Sequence, residues 1–118
     1  MTVIHKYQAI WKAVSSLREG QIATYGEVAK RAGLNRHARL VSRALKEAPD
    51  ELKLPWFRVV GSGPKISLPL DSDAGKLQLT LLQQEGHIIN KGRIKPNPHV
   101  TQPQVSDDLD YILWGPEA

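Results

Sequence analysis

The chain has 118 residues, of which 41% are hydrophobic and 24% charged, and its formal net charge at pH 7 is +4. This length fits a single domain with its own core, and the lack of any cysteine excludes disulfides, thiolate metal sites and thiol nucleophiles. No apolar run approaches the ~20 residues that a membrane span needs, and the N-terminus has no signal-peptide pattern, so we expect a cytoplasmic protein.

An apolar stripe at helical spacing predicts a first helix over residues 3–19, with Gly20 as its C-terminal stop. The stripe includes aromatic residues, which we interpret as part of the core rather than as a binding site. Its members are Tyr7, Ile10, Trp11, Val14 and Leu17.

The segment TYGEVAKRAGLNRHARLVSRALK predicts two short helices joined by a turn. Thr24 and Glu27 have the spacing of a capping box, so a helix should begin there and end near residues 32–33. A second helix should run over residues 36–47. Two short helices joined by a glycine-containing turn are typical of a helix-turn-helix.

The second of these helices carries a basic face. Residues 28–46 contain six lysines and arginines and no acidic residue. At 100° per residue, Arg36, Arg39, Arg43 and Lys46 fall within about 80° of each other. The small side chains of Ala38 and Ser42 border this face, so the helix could lie close against a nucleic-acid backbone. A merely solvated basic face is the alternative.

The remaining elements are shorter. Residues 56–60 predict a strand, and residues 61–64 a turn to a returning strand at 65–68, which would form a β-hairpin wing. Residues 72–85 predict a last helix, and residues 87–96 a small hairpin around Asn90-Lys91-Gly92. We expect a core over residues 4–95 and an irregular strap over residues 96–118. We expect residues 111–114 of this strap to pack back onto the core. The segment from Thr101 onward contains four acidic residues and no basic one.

The sequence shows no pattern of side chains that is typical of a catalytic or metal site. The histidines at positions 5, 37, 87 and 99 have no metal-ligand spacing, no glycine-rich phosphate loop is present, and no serine or aspartate stands out as a nucleophile. We therefore expect no metal and no cofactor. The residues alone predict a mainly α-helical, winged helix-turn-helix-like module that binds nucleic acid.

Four motifs in order, TYGEVAKRAG, ARLVSRAL, PWFRVV and LLQQEG, resemble the DNA-binding domain of the O6-alkylguanine-DNA alkyltransferases over residues 4–86. That family carries its reactive cysteine in a Pro-Cys-His-Arg-Val motif, and Trp56 stands at the cysteine position here. In having tryptophan at this position, the sequence resembles the alkyltransferase-like proteins, which keep the fold and the lesion pocket but accept no alkyl group. The resemblance implies the fold of the C-terminal domain of the alkyltransferases.

The resemblance also implies roles for individual residues. Tyr25 matches a tyrosine that crowds the target phosphate, and Arg39 matches the arginine finger that fills the vacated base stack. Trp56 would pack against the flipped base, with Arg58 and Glu85 supporting the pocket from behind. The wider implied sets are a lesion pocket of Tyr25, Trp56, Arg58, Val59, Pro69 and Leu70, and DNA contacts from Thr24, Tyr25, Arg36, Ala38, Arg39, Ser42, Arg43, Lys46 and Ser62.

The sequence departs from the family pattern at three places. Phe57 replaces the histidine that follows the cysteine, which leaves Glu85 in need of another partner. The asparagine expected near residues 48–49 is absent. Pro69 and Leu70 stand where the enzymes place tyrosine and serine, so we expect a pocket closed by Leu68, Pro69 and Leu70 that is more apolar and tolerates larger adducts.

The implied function is that of a non-enzymatic sensor, a monomer that binds and flips O6-alkylguanine in double-stranded DNA and passes it to nucleotide excision repair proteins. A sequence-specific winged-helix transcription factor is the alternative, and an active alkyltransferase is a third hypothesis that the missing cysteine opposes. Trp56 as ordinary core, Tyr25 as a packing residue at the helix start and Arg39 as one phosphate contact among several also remain open.

Overall fold

The computed structural model describes residues 3–102, except for the side chain of Val3. Its main elements are four α-helices: α1 (Val3–Ser15), α2 (Tyr25–Arg31), α3 (Ala38–Lys46) and α4 (Asp73–Gln84). The strands are short: β1 (Ala23–Thr24), β2 (Val59–Val60), β3 (Ile88–Asn90) and β4 (Arg93–Lys95). The mainly helical fold with a small β-hairpin confirms the predicted fold class. Within residues 3–102, no helix is long and apolar enough to cross a bilayer.

Helix α1 ends at Ser15 and not at residue 19 as predicted, because the chain changes there to a tighter turn. The Leu17 N–H bonds the Val14 carbonyl at 3.0 Å, three residues back instead of four. The Ser16 hydroxyl also donates to the Ala13 carbonyl at 2.6 Å. Four residues of the apolar stripe are nevertheless buried as predicted, with Ile10 and Val14 fully inaccessible, and Trp11 is half-buried.

The helix-turn-helix is formed by α2 and α3, but α3 begins later than predicted. Arg36 has a φ of 68° and lies in the turn before the helix, so it does not share the helical face of Arg39 and Arg43. The inward face of α3 is as expected, with Val41 and Ala44 buried against α1 and α2. The structure therefore corrects the assignment of Arg36 to the basic helix face.

The predicted strand over residues 56–60 is mostly a tight turn. Trp56–Arg58 forms a 3₁₀ turn, and only Val59–Val60 is extended. This strand pairs in parallel with β1, with Ala23 opposite Val59, rather than with residues 65–68. The predicted wing hairpin is reduced to a single antiparallel bridge between Gly61 and Lys65.

The second hairpin is regular and confirms its prediction. Strands β3 and β4 pair in antiparallel fashion around Lys91 and Gly92, whose φ angles are 54° and 84°. Two consecutive positive φ angles are typical of the type I′ turn, which matches the natural strand twist. The segment after β2 packs on this hairpin, since the Ile66 N–H donates to the Gly92 carbonyl at 2.8 Å.

Residues 96–102 have no regular secondary structure but are anchored to the domain. The Gln102 amide donates to the Gly20 carbonyl at 3.0 Å and accepts from the Ile22 N–H at 2.9 Å. The Asn97 amide donates to the Glu85 carbonyl at 2.9 Å. The predicted docking of residues 111–114 lies outside the described residues, as does most of the acidic segment.

Candidate nucleic-acid interface

The N-terminus of α2 is fixed by the predicted capping box. The Thr24 hydroxyl accepts from the Glu27 N–H at 3.1 Å, and the Glu27 carboxylate accepts from the Thr24 N–H at 2.8 Å. This reciprocal pair satisfies donors that the helix itself leaves unpaired. It sets Tyr25 as the first residue of α2, where its hydroxyl lies 3.2 Å from the Ser67 hydroxyl.

Trp56 is held in the 3₁₀ turn by its neighbours. Its ring lies edge-on to Phe57, with centroids 6.1 Å apart and planes at 90°. The Arg58 guanidinium in turn lies 5.1 Å from the centre of the Phe57 ring. Trp56 itself is only half-buried, so part of the indole stays available to a ligand.

Trp56 forms one wall of a cavity of about 370 Å³ between the start of α2, the end of α3 and the start of α4. This volume lies within the range of roughly 300–1,000 Å³ that is common for small-ligand sites. The cavity is open to solvent, and aromatic and aliphatic side chains make up most of its lining. Its lining residues are Tyr25, Ser42, Leu45, Lys46, Trp56, Leu68, Ala74 and Gln78.

The structure brings together only part of the predicted lesion pocket. Tyr25 and Trp56 line the cavity, and Leu68 does so as expected, but Pro69 and Leu70 do not. Pro69 lies at the surface and its carbonyl accepts from the Ser72 hydroxyl at 2.6 Å. Leu70 is 44% exposed and packs toward Gly92, where its nearest methyl would lie 3.4 Å from a Cβ added to that glycine.

Arg58 and Val59 lie behind the cavity rather than in its wall. Arg58 bonds both oxygens of the Glu85 carboxylate through Nε, at 3.0 and 3.1 Å, and reaches Oε2 through Nη2 as well. Its Nη1 donates to the Leu17 carbonyl at 3.0 Å. The expected pairing of Arg58 with Glu85 or with backbone carbonyls is therefore confirmed on both counts.

Glu85 has a second donor in addition to Arg58. Its Oε1 accepts from the Gly20 N–H at 2.9 Å. Burial raises the pKa of this carboxyl, but the hydrogen bonds from Arg58 and Gly20, with the charge of Arg58, outweigh burial and the net pKa is lowered. The carboxylate therefore stays ionised as the counter-charge of Arg58.

Gln78 is a cavity residue that the sequence interpretation missed. It is 2% exposed and donates through Nε2 to the carbonyls of Phe57 and Val59, at 3.0 and 3.1 Å. It therefore ties α4 to the 3₁₀ turn that carries Trp56. Periodicity gave no signal for it, because the apolar stripe of Ala74, Leu77 and Leu81 indicated a different inner face. In the structure Leu77 is 50% exposed, and the buried residues of α4 are Gly75, Gln78 and Leu82.

Most of the predicted DNA contacts lie on α3 or next to it, and the end of this helix forms part of the cavity wall. Arg39, Arg43 and Lys46 are exposed on α3, and Lys46 also lines the cavity. Ala38 and Ser42 are half-buried on the same helix, and exposed Arg36 lies in the turn before it. Ser62 lies apart from the cavity and lines a separate groove with Thr24 and Gly63.

Another groove, of about 620 Å³, lies between α1 and α2. Lys12, Arg18 and Arg31 line it, and it contains no aromatic side chain. It therefore offers no surface on which a base could stack, and the smaller cavity beside Trp56 is the better candidate for a base. Within residues 3–102, no group of three His, Asp or Glu side chains could hold a metal ion.

Comparison with known proteins connects this geometry to a family. The family described as 6-O-methylguanine DNA methyltransferase, DNA binding domain, matches residues 5–87. The DNA base-flipping protein of Vibrio parahaemolyticus is 44% identical over 72 residues, which cover 58% of this chain and 72% of that protein. Alkyltransferase-like protein 1 of Schizosaccharomyces pombe is 35% identical over 80 residues, which cover 68% of this chain and 74% of the relative.

A crystal structure of S. pombe Atl1 in complex with damaged DNA containing O6-carboxymethylguanine superposes with a TM-score of 0.70 at 33% identity. The match covers 82% of this chain and 93% of that one. The range that matches the family, residues 5–87, includes the helix-turn-helix, the Trp56 turn and α4. The chain belongs to the 6-O-methylguanine DNA methyltransferase DNA-binding-domain family and is one of its alkyltransferase-like members.

Proposed function

We propose that this protein recognises O6-alkylguanine in double-stranded DNA by extruding the base and holding it without chemical change. The single observation that carries the proposal is the apolar cavity beside Trp56, at the end of a helix whose outer face is basic. An extruded base needs a pocket of this kind, with an aromatic surface to stack on. The relatives named for base flipping and for binding damaged DNA support the same function.

Trp56 and Arg39 have separate roles in this function. An indole against a purine face contributes about 1–3 kcal/mol, which offsets part of the stacking that extrusion loses. Arg39 is exposed on α3, and its planar guanidinium would fill the space that the base leaves. Tyr25, at the capped start of α2, would crowd the phosphate of the extruded nucleotide. The other DNA contacts would come from Thr24, Arg36, Ala38, Ser42, Arg43, Lys46 and Ser62.

The cavity favours alkylated over unmodified guanine for a physical reason. An alkyl group on O6 makes the base less polar and removes its N1 proton, which suits walls formed by Trp56, Leu45 and Leu68. Because the cavity is open to solvent, larger adducts should also fit. The affinity for duplexes with O6 adducts from methyl to bulky groups should be nearly constant. A sharp loss of affinity at the first adduct larger than methyl would contradict an open pocket.

Alkyl transfer is not part of the proposal, because the chain has no cysteine and the family resemblance puts Trp56 at the acceptor position. Intact-protein mass spectrometry after incubation with O6-methylguanine DNA should show an unchanged mass. A mass gain of one methyl group would instead show that the protein accepts the alkyl group as an enzyme does. We further propose that it acts as a monomer in the cytoplasm, on the nucleoid when bound to DNA, and passes lesions to nucleotide excision repair proteins. That last step rests on the family resemblance.

The decisive experiment is a fluorescence-anisotropy titration of two duplexes that differ only by O6-methylguanine or guanine at one site, at fixed salt. The wild type should prefer the lesion, and Trp56→Ala and Arg39→Ala should each lose most of that preference. Arg18→Ala is the matched control, since it also removes an exposed arginine but at the groove between α1 and α2. It should leave the preference intact.

Equal affinity of the wild type for both duplexes would overturn the proposal. It would favour a sequence-specific winged-helix transcription factor, whose binding would instead depend on the surrounding base sequence. Methylation of the protein, detected by mass spectrometry, would favour the hypothesis of an active alkyltransferase.

A further inference from the structure

The groove between α1 and α2 is lined by three cations that no described carboxylate neutralises. Lys12, Arg18 and Arg31 are all exposed, and no acidic side chain belongs to the lining. Within residues 3–102 none of the three forms an ion pair with a carboxylate. The Nη1 of Arg31 donates to the Ser16 hydroxyl at 2.9 Å, which keeps its guanidinium at the groove. Three unpaired cations around one concave surface favour an anionic occupant.

The described part of the chain ends at the rim of this groove. The Gln21 side chain lines the groove, donates through Nε2 to the Thr101 carbonyl at 3.1 Å and accepts through Oε1 from the Arg18 N–H at 2.8 Å. The Gln102 amide is fixed by hydrogen bonds to the backbone on either side of Gln21. Residues 103–118 therefore continue from a point beside the three cations.

Residues 103–118 carry the charge that the groove lacks. They include no basic residue, and their acidic residues are Asp107, Asp108, Asp110 and Glu117. The first aspartate is five residues after Gln102. Five extended residues span at most about 17 Å, so the aspartates can reach the groove from its rim. Leu109 stands among them, and the groove offers small apolar side chains to it, namely Ala9, Ala13 and Ala32.

A second groove near the end of the described chain is a poor match for these acids. Gln102 itself lines this groove, and the charged residue of its lining is Glu27. The Glu27 carboxylate is held there because it accepts from the Thr24 N–H at 2.8 Å. An aspartate that entered this groove would meet a like charge. Electrostatics therefore distinguishes the two grooves and favours the one between α1 and α2.

We propose that residues 107–110 dock in the groove between α1 and α2, where their three aspartates pair with Lys12, Arg18 and Arg31. Exposed ion pairs are individually weak, but a tether of a few residues gives the acids an effective concentration on the order of millimolar at the groove. The docked segment covers the three cations and closes this groove to other polyanions. The inference goes beyond base recognition, because the groove shares no lining residue with the cavity beside Trp56.

The test places a nitroxide spin label at Ser106→Cys in the full chain. Because the chain has no cysteine of its own, the label is unique. The label broadens the NMR signals of nearby amides. Docking should broaden Ala9 and Ala32 in the groove between α1 and α2 more than Ser62 and Gly63 in the second groove. In about 1 M NaCl, where the Debye length is about 3 Å, this difference should disappear.

Charge variants of the labelled protein identify the contacts. Lys12→Glu/Arg18→Glu should remove the difference in broadening, because two of the three cations then repel the aspartates. Arg93→Glu/Lys95→Glu is the matched control, since it changes the net charge equally but on exposed residues of β4. It should keep the difference. The dispersion of the same spectra shows whether each variant is folded.

A third variant acts on the docking segment itself. Asp107→Asn/Asp108→Asn/Asp110→Asn changes no residue of the groove, so it serves even if the groove variant fails to fold, and it should also abolish the difference. Equal broadening of the two grooves in the labelled chain without charge substitutions would overturn the inference, because residues 103–118 would then be tethered but not docked. So would a difference that persists in a folded variant of the groove or of the aspartates.

Discussion

Arg58 is a cation in an otherwise apolar segment, and the structure explains its presence there. Its side chain is 15% exposed and that of Glu85 is 10% exposed, so water does little to stabilise either charge. Each charge therefore depends on the other. The pair also links the Trp56 turn to the end of α4, and through the Leu17 carbonyl it reaches the end of α1.

Removing one charge should be costly because the other stays buried. We expect Glu85→Gln to lower the free energy of unfolding by about 3 kcal/mol, as measured by urea denaturation. Glu27→Gln is a suitable control, because it also changes one glutamate to glutamine but keeps an oxygen that can accept from the Thr24 N–H. A loss below about 0.5 kcal/mol for Glu85→Gln would mean that the pair is effectively solvated.

His87 is a second titratable group that folding buries. It is 3% exposed, and its Nδ1 accepts from the Asn97 N–H at 3.0 Å. Burial lowers the pKa of the imidazole, the nearby Glu85 carboxylate raises it, and Arg58 lowers it, with a net decrease from the usual 6.5. The folded protein therefore favours neutral His87.

This pKa shift predicts acid destabilisation. Below pH 6.5 the unfolded chain binds a proton that the folded chain resists, so stability should fall as the pH decreases. Glu85, whose folded pKa lies below its usual 4.5, adds a second loss at lower pH. Thermal melts from about pH 7.5 to about pH 2.5 should show both steps. His87→Gln should remove the first step only, and an unchanged first step would exclude His87 as its cause.

At the scale of elements, α4 begins in very close contact with the segment before it. The Ser72 hydroxyl caps the helix by accepting from the Gly75 N–H at 3.0 Å and also donates to the Pro69 carbonyl. A Cβ added to Gly75 would lie 2.0 Å from the Pro69 carbonyl oxygen. This approach positions Leu68 and Ala74 in the cavity wall, so the glycine is needed for the shape of the site.

Two glycine-to-alanine substitutions should therefore have opposite effects. Gly75→Ala forces the backbone of residue 69 to move and should cost about 1–3 kcal/mol of stability. Gly26→Ala lies in α2, where the nearest atom is 3.9 Å from the added Cβ, and should stabilise the protein by about 0.5–1 kcal/mol. Denaturant melts of both variants test this, and a neutral Gly75→Ala would show that the segment before α4 is adaptable.

At the scale of the whole molecule, the positive charge is concentrated on and around the helix-turn-helix. All six basic residues between positions 28 and 46 are exposed, and this stretch contains no acidic residue. Such a surface attracts the phosphate backbone regardless of sequence, and the resulting affinity depends steeply on salt. Lesion recognition by Trp56 should depend on salt much less.

The two contributions should separate in a salt titration. We expect Arg43→Ala to weaken binding to lesion and control duplexes alike, and to reduce the slope of log affinity against log salt by about 0.9. Trp56→Ala should leave that slope unchanged and reduce the difference between the duplexes. If Arg43→Ala altered only the lesion complex, then Arg43 would belong to base recognition and not to the phosphate surface.

The sequence by itself determined the features that depend on neighbouring residues. The capping box of Thr24 and Glu27 located the start of α2, and Lys91-Gly92 located the tight turn between β3 and β4. The apolar stripe of α1 and the basic face of α3 followed from helical periodicity. The four family motifs added the specific fold of the alkyltransferase C-terminal domain, which follows from the resemblance and not from local propensity.

Tertiary packing decided the rest. Residues 56–58 form a turn rather than a strand, because β2 pairs with distant β1 and the Gln78 amide holds the carbonyls of Phe57 and Val59. Leu68, not Pro69 or Leu70, reaches the cavity, since Gly75 lets α4 begin against the Pro69 carbonyl. The contacts of Gln78 and of β1 with β2 join residues about 20 or more apart in the chain. The position of Leu68 depends on the close approach of the α4 backbone to the backbone of residue 69. Local propensity does not specify such contacts, and only the folded chain brings them together.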